Sequence, residues 1–171
     1  MDNKEEVREF LVLRRARITP DQAGLPTFQR HGMGTLTYSP LSGGWLSGKW
    51  RKDATSVPTS SARPKARFDM TSPANLRKLD VVEELAQLAE QAGLTLIELA
   101  IAFVINHPGV TAAIVGPRTM EQLDAYLPAA DITLSTEVLD RIDQLVAPGV
   151  TINPDDNSYG AQELLPAARR R

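Results

Sequence analysis

The stretch Gly34-Thr35-Leu36-Thr37-Tyr38-Ser39-Pro40-Leu41-Ser42-Gly43-Gly44-Trp45-Leu46-Ser47-Gly48-Lys49-Trp50 decides how the rest of the chain is read. Thr35 to Tyr38 is a short run of strand-forming residues, and it feeds directly into a loop rich in glycine and serine. Small residues let backbone N–H groups approach an anion closely, and Lys49 adds positive charge, so such a loop can wrap a phosphate. The plainer alternative is a surface turn after a strand, with Trp45 and Trp50 as half-buried packing. The residues of the loop leave both readings open.

Working outward, Leu25 to His31 reads as the end of a helix, with Gly32 or Gly34 as its stop. Downstream, residues 51–71 form a polar connection rich in Ser, Thr, Pro, Arg and Lys, the composition of a lid, a binding loop or disorder. Ser72-Pro73 then predicts a helix start, with serine as N-cap and proline in the first turn. Leu76, Leu79, Val81, Val82, Leu85, Leu88, Ala89 and Ala92 give that helix an apolar stripe, and Gly93 ends it. Thr95-Leu96-Ile97-Glu98 is a capping box for a second helix, apolar nearly all round as far as Ile105 and stopped by Pro108 and Gly109. The continuous apolar run Thr111 to Val115 predicts a buried parallel strand. Gly116-Pro117-Arg118 leaves it, and Thr119 with Gln122 caps a helix running to about Leu127. A last helix opens at Ser135-Thr136-Glu137 and buries Val138, Leu139, Ile142, Leu145 and Val146. Strand, helices, strand, helix, helix is the order of an α/β protein with parallel strands.

Composition narrows the function classes. With 42% hydrophobic and 23% charged residues the 171-residue chain resembles an ordinary globular domain. A net charge of −2 offers no general field for nucleic acid or an anionic membrane. There are no cysteines and only two histidines, which excludes disulfides and thiolate metal sites and disfavours a histidine-built one. His31 and His107 both sit at helix ends, where a structural role is the simpler account. No apolar stretch approaches the roughly 20 residues of a spanning helix, and the charged start MDNKEEVREF lacks the apolar core of a secretory signal. A cytoplasmic protein without metal is the expectation.

The loop from Tyr38 to Lys49 resembles the seventh-strand loop of the NADP-dependent aldo-keto reductases, whose pattern runs YSPL-x-x-G-x-L-[ST]-GK. The segment Ile114-Val115-Gly116-Pro117-Arg118-Thr119-Met120-Glu121-Gln122 is similar to that family's eighth-strand motif, roughly I-x-G-x-R-x-x-x-Q. The resemblance implies the C-terminal part of a (β/α)8 TIM barrel, about strands 7 and 8 with their helices, as an incomplete barrel. Residues 25–150 would form that part, with 1–24 a poorly defined segment and 151–171 a tail. It further implies an NADP(H) site. Tyr38 would stack on the nicotinamide, while the backbone at Ser39 and Leu41, with Gly44, Ser47 and Lys49, would surround the pyrophosphate. Gly116 would belong to the same cofactor site, Arg118 would pair with the 2′-phosphate, assisted by the helix N-terminus at Thr119, and Gln122 would meet the adenosine side. Ala125 and Tyr126 depart from the acidic residue and asparagine that commonly follow in the family.

The same resemblance makes residues 51–71 a belt over the pyrophosphate, with Arg51, Lys52, Arg63, Lys65 and Arg67 as electrostatic helpers; as plain chemistry they are solvated charges in a loop. The family's catalytic Asp, Tyr, Lys and His come from the first half of its barrel, so no catalytic residue is assigned here. The expected activity of the chain alone is little or none. Three readings stand: an oxidoreductase fragment that keeps its cofactor loops, a non-catalytic NADPH-binding or interaction module, and a fragment with no ligand. Two strands with free edges also predict self-association, or a partner that supplies the missing strands.

Overall fold

The structure is a computed structural model that describes residues 34–53 and 65–156. Two strands, β1 (Leu36–Tyr38) and β2 (Ala112–Ile114), pair in parallel with Leu36 opposite Ala112 and Tyr38 opposite Ile114. Between them run the helices α1 (Pro73–Gln91) and α2 (Leu96–Asn106); after β2 come α3 (Met120–Tyr126) and α4 (Thr136–Leu145). The described residues are therefore α/β with a two-stranded parallel sheet, a part of a barrel's worth of strands and no more. The expected helix over Leu25 to His31 lies outside them.

The helix signals held at their capped ends. Thr95 and Glu98 make the reciprocal capping box, Thr95 Oγ1 accepting from the Glu98 N–H at 3.2 Å and Glu98 Oε2 accepting from the Thr95 N–H at 2.7 Å. Ser135 and Thr119 cap α4 and α3 with their hydroxyls. At α1, Pro73 stands in the first turn as expected, yet the Ser72 side chain makes no cap bond. Gly93 adopts φ +72, the left-handed conformation that closes a helix and costs other residues strain. Gly34 has a different purpose from the stop expected of it. A Cβ there would lie 2.7 Å from Thr111 Oγ1, the atom that accepts from the Thr35 N–H at 2.9 Å. Glycine lets the two chains approach at the start of the sheet.

The core departs most from expectation. It lies between the loop after β1 and the helices: Trp45, Trp50, Val82, Ala86, Ala89, Leu96, Leu99, Ala102 and Leu134. Trp45 and Trp50 are buried, at 1% and 4% exposure, rather than half-buried, and stack on each other at 4.5 Å with Phe68 5.1 Å beyond Trp50. The sheet is correspondingly open. Leu36 at 55% and Ile114 at 54% exposure overturn the expectation that Thr111 to Val115 is a buried strand. A parallel strand is covered by neighbours on both faces, and those are not among the described residues. Leu76 and Phe103 are also exposed, on helices expected to bury them.

Candidate functional site

Parallel pairing fixes where the two loops meet. With Tyr38 opposite Ile114, both strands end at the same edge of the sheet, and Ser39–Trp50 and Val115–Thr119 leave it side by side. Between them opens a cleft of about 1090 Å³. All nine residues singled out in the sequence line it: Tyr38, Ser39, Leu41, Gly44, Ser47 and Lys49 from the first loop, Gly116, Arg118 and Gln122 from the second.

The first loop is wound tightly. Ser39 and Ser42 hold φ of 60° and 48°, and Gly43, Gly44 and Gly48 are also left-handed. Holding two non-glycine residues there costs about 1–2 kcal/mol each, strain that clusters at functional sites. The Leu41 carbonyl accepts from the Gly44 N–H at 2.8 Å and from the Leu46 N–H at 3.3 Å. The Gly44 carbonyl accepts from both the Ser47 N–H at 3.2 Å and the Ser47 hydroxyl at 2.7 Å. Ser47 and the Gly44 amide therefore spend their donors inside the loop. Their part is to hold the loop in shape, not to point N–H or O–H groups into the cleft. A Cβ at Gly44 or Gly116 would meet nothing within 4 Å, so the cleft stands open at both.

In the second loop, Gln122 reaches back so that its Oε1 accepts from the Arg118 N–H at 2.8 Å, while Thr119 Oγ1 accepts from the Gln122 N–H at 3.3 Å. α3 has only seven residues, and these bonds occupy donors at its start. The Arg118 and Gln122 N–H groups are thus engaged within the loop, while the Arg118 side chain is exposed.

Charge pairing separates the cations of the two loops from those of the connection after them. Arg51 grips Glu83 with a two-pronged fork, Nε and Nη2 at 3.0 and 2.9 Å, and reaches Glu90 at 3.0 Å. These bonds raise the Arg51 pKa and hold the Glu83 carboxyl down at about 2, chiefly through the hydrogen bond from Arg51. Lys52 pairs with Asp80 at 2.6 Å, and Arg67 and Lys78 both pair with Asp156. Arg51 and Lys52 thus tie the start of the connection to α1, and Arg67 ties its end to residue 156, although the Lys52–Asp80 pair is solvent-exposed. Arg63 and the side chain of Lys65 lie outside the description. Lys49 and Arg118, by contrast, are exposed and make no ion pair among the described residues.

The cleft also contains residues that the sequence reading did not select: Trp50 and Phe68 from the aromatic stack, Ile97, Glu121, Ala125 and Tyr126. Tyr126 carried a legible signal. Gln122 and Tyr126 are spaced by four, one face of α3. Phe68 had none, because the polar connection lacks any period. Among the described residues no group of His, Asp and Glu is arranged to hold a metal ion. No single described helix is long and apolar enough to cross a membrane.

Comparison with known proteins supports the same segments. The sequence model of the Aldo/keto reductase family matches residues 12–147. The chain is 34% identical over 131 residues to a probable voltage-gated potassium channel subunit beta of Arabidopsis thaliana, a match covering 71% of this chain and 38% of that protein. To the uncharacterized oxidoreductase YrpG of Bacillus subtilis it is 32% identical over 134 residues, covering 78% and 37%. To the L-glyceraldehyde 3-phosphate reductase of Escherichia coli O157:H7 it is 32% identical over 139 residues, covering 75% and 38%. The chain thus spans little more than a third of the length of the curated relatives it matches. By its sequence, its paired parallel strands and the loops at their ends, the chain belongs to the aldo/keto reductase family.

Proposed function

We propose that this chain carries the NADP(H)-binding loops of an oxidoreductase acting on carbonyl or alcohol groups, its two strands corresponding to the seventh and eighth of the family's barrel. The observation that carries this reading is the pair of cations, Lys49 and Arg118, that line one cleft from two loops and make no ion pair among the described residues. A cofactor with a pyrophosphate and a 2′-phosphate needs two separated anion sites, and the cleft volume lies at the upper end of small-molecule sites. Lys49 serves as a point charge for the pyrophosphate, and the Arg118 guanidinium forks onto the 2′-phosphate dianion. Tyr38, 65% exposed at the end of β1, offers a ring face to the nicotinamide. When bound, NADPH supplies the hydride; the chain's own residues grip and orient it. No residue is assigned to proton transfer, so the chain alone binds without turnover.

The test uses the tryptophans. Trp50 lines the cleft, so NADPH titrated into the 171-residue chain should give a saturable change in tryptophan emission, with no NADPH oxidation when an aldehyde is added. A folded protein, judged by circular dichroism, that shows no saturable change at millimolar NADPH contradicts the reading.

A specific observation favours a second role beside the first. Leu36 and Ile114 are more than half exposed on paired strands, and among the described residues each strand pairs only with the other. We propose self-association, or a partner supplying further strands, through this sheet.

A further inference from the structure

From the far end of the described chain we infer that Asp156, with Asn153 beside it, is a positioning residue for the cleft: it fixes the cleft's aromatic wall through Phe68. Both residues lie beyond residue 147, where the family match ends. Asp156 joins two elements. Its carboxylate accepts from Lys78 Nζ on α1 and, at 3.2 Å, from Arg67 Nε, while its backbone carbonyl accepts from Arg67 Nη2 at 2.7 Å. Asn153 makes a second tie. It donates to Asn75 Oδ1 at 3.0 Å, and Asn75 donates in turn to the Asp69 carbonyl at 2.9 Å. Phe68 therefore has both of its chain neighbours, Arg67 and Asp69, fastened to the segment 153–156.

The placing of that one ring matters because Phe68 and Trp50 both line the cleft. Phe68 lies 5.1 Å from Trp50 with 4° between the ring planes, and 5.6 Å from Trp45. Lys78 Nζ stands 4.4 Å from the Trp45 ring centroid, so the ammonium that holds Asp156 also rests on the stack. The ties are sheltered. Asn75, Lys78 and Asn153 are buried, and polar groups so placed keep their partners because a buried group left unpaired costs more than an ordinary hydrogen bond gains. Phe68 itself ends a single turn, Lys65–Phe68, which is too short to hold a ring in place unaided. With both neighbours tied, the ring presents a fixed face, and a ligand loses no affinity to ordering that wall.

The ligand arm of the test rests on the NADP(H) reading above, and the other arms do not. In the full chain, Asp156→Asn should speed hydrogen exchange at the amides of residues 66–72 by about tenfold, with exchange in α2 unchanged. The near-ultraviolet circular dichroism of the ring stack should fall in the same variant. By calorimetry, Asp156→Asn and Phe68→Leu should each weaken NADPH by about five- to tenfold, and the double variant by no more than about twofold beyond either, since both act on one ring. Exchange that rises equally in α2, or an unchanged ring-stack signal, reduces Asp156 to general support and overturns the inference. Additive losses in the double variant overturn it as well. If the wild type binds no NADPH the cofactor reading falls, while exchange and dichroism still decide the positioning role. Asp156→Asn leaves Lys78 buried without this carboxylate; if that variant fails to fold, Arg67→Gln, which keeps the Lys78 pair, takes its place with the same expected pattern.

Discussion

Lys49 and Arg118 line the cleft without an ion pair among the described residues, whereas Arg51, Lys52, Arg67 and Lys78 all pair with carboxylates of the same chain. That contrast yields two predictions at the scale of single residues. Lys49→Gln should weaken NADPH and NADH alike by about ten- to a hundredfold, since a charged hydrogen bond to a group that both share contributes about 1.5–3 kcal/mol; competitive titration measures it. Glu83→Gln should flatten the acid limb of stability. The Glu83 pKa falls from 4.5 unfolded to about 2 folded, so its stabilisation is complete above pH 4.5 and disappears as pH falls towards 2. With Arg51 30% exposed, that contribution is about 1–2 kcal/mol. Urea unfolding of both proteins between pH 6 and pH 2 reads the difference. The sequence showed which residues were basic but not which were spoken for. Arg51 meets Glu83 across 32 positions, and no local pattern announces such a pair.

At the scale of elements, local chemistry was legible wherever it was self-contained. The Thr95–Glu98 box and the left-handed Gly93 follow from side-chain geometry over four or five residues, and both helix ends fall where the sequence put them. The same applies to the loop after β1, where turn residues announced the tight winding. Gly48 holds φ +78 with open space around a Cβ, so Gly48→Ala adds backbone strain and nothing else. It should cost about 1 kcal/mol of stability and loosen NADPH binding, with the melting temperature and the titration as paired readouts. Ser72 shows the limit of local reading. It has the identity and position of an N-cap, but its side chain makes no cap bond, while nearby Asn75 donates to the Asp69 carbonyl at 2.9 Å and accepts from Asn153 at 3.0 Å. No spacing in the sequence forecasts that buried polar link to residue 153.

For the whole molecule, the parallel α/β order was legible because strand and helix periods alternate cleanly, and the two loops met because parallel strands end on one side. What the sequence could not give was which surfaces are covered. A continuous apolar run at Thr111 to Val115 reads as buried, but burial depends on neighbouring strands, and Ile114 is half exposed. The family match reaches back to residue 12, beyond the stretch from Leu25 where the resemblance was visible residue by residue. The open sheet predicts concentration-dependent assembly: light scattering should show mass rising with concentration, and Leu36→Lys, on the exposed strand but outside the cleft lining, should suppress it. A strict monomer at all concentrations would remove the association reading and leave the cofactor site untouched.

The central claim is that the two loops make one NADP(H) site in which Arg118 reads the 2′-phosphate. Its most direct test is the ratio of NADH to NADPH dissociation constants, measured by calorimetry in the wild-type chain and in Arg118→Ala. The account predicts a wild-type preference for NADPH of about tenfold or more, collapsing towards unity in the variant through loss of NADPH affinity alone. Equal affinities in the wild type, or a preference that survives the substitution, would contradict it.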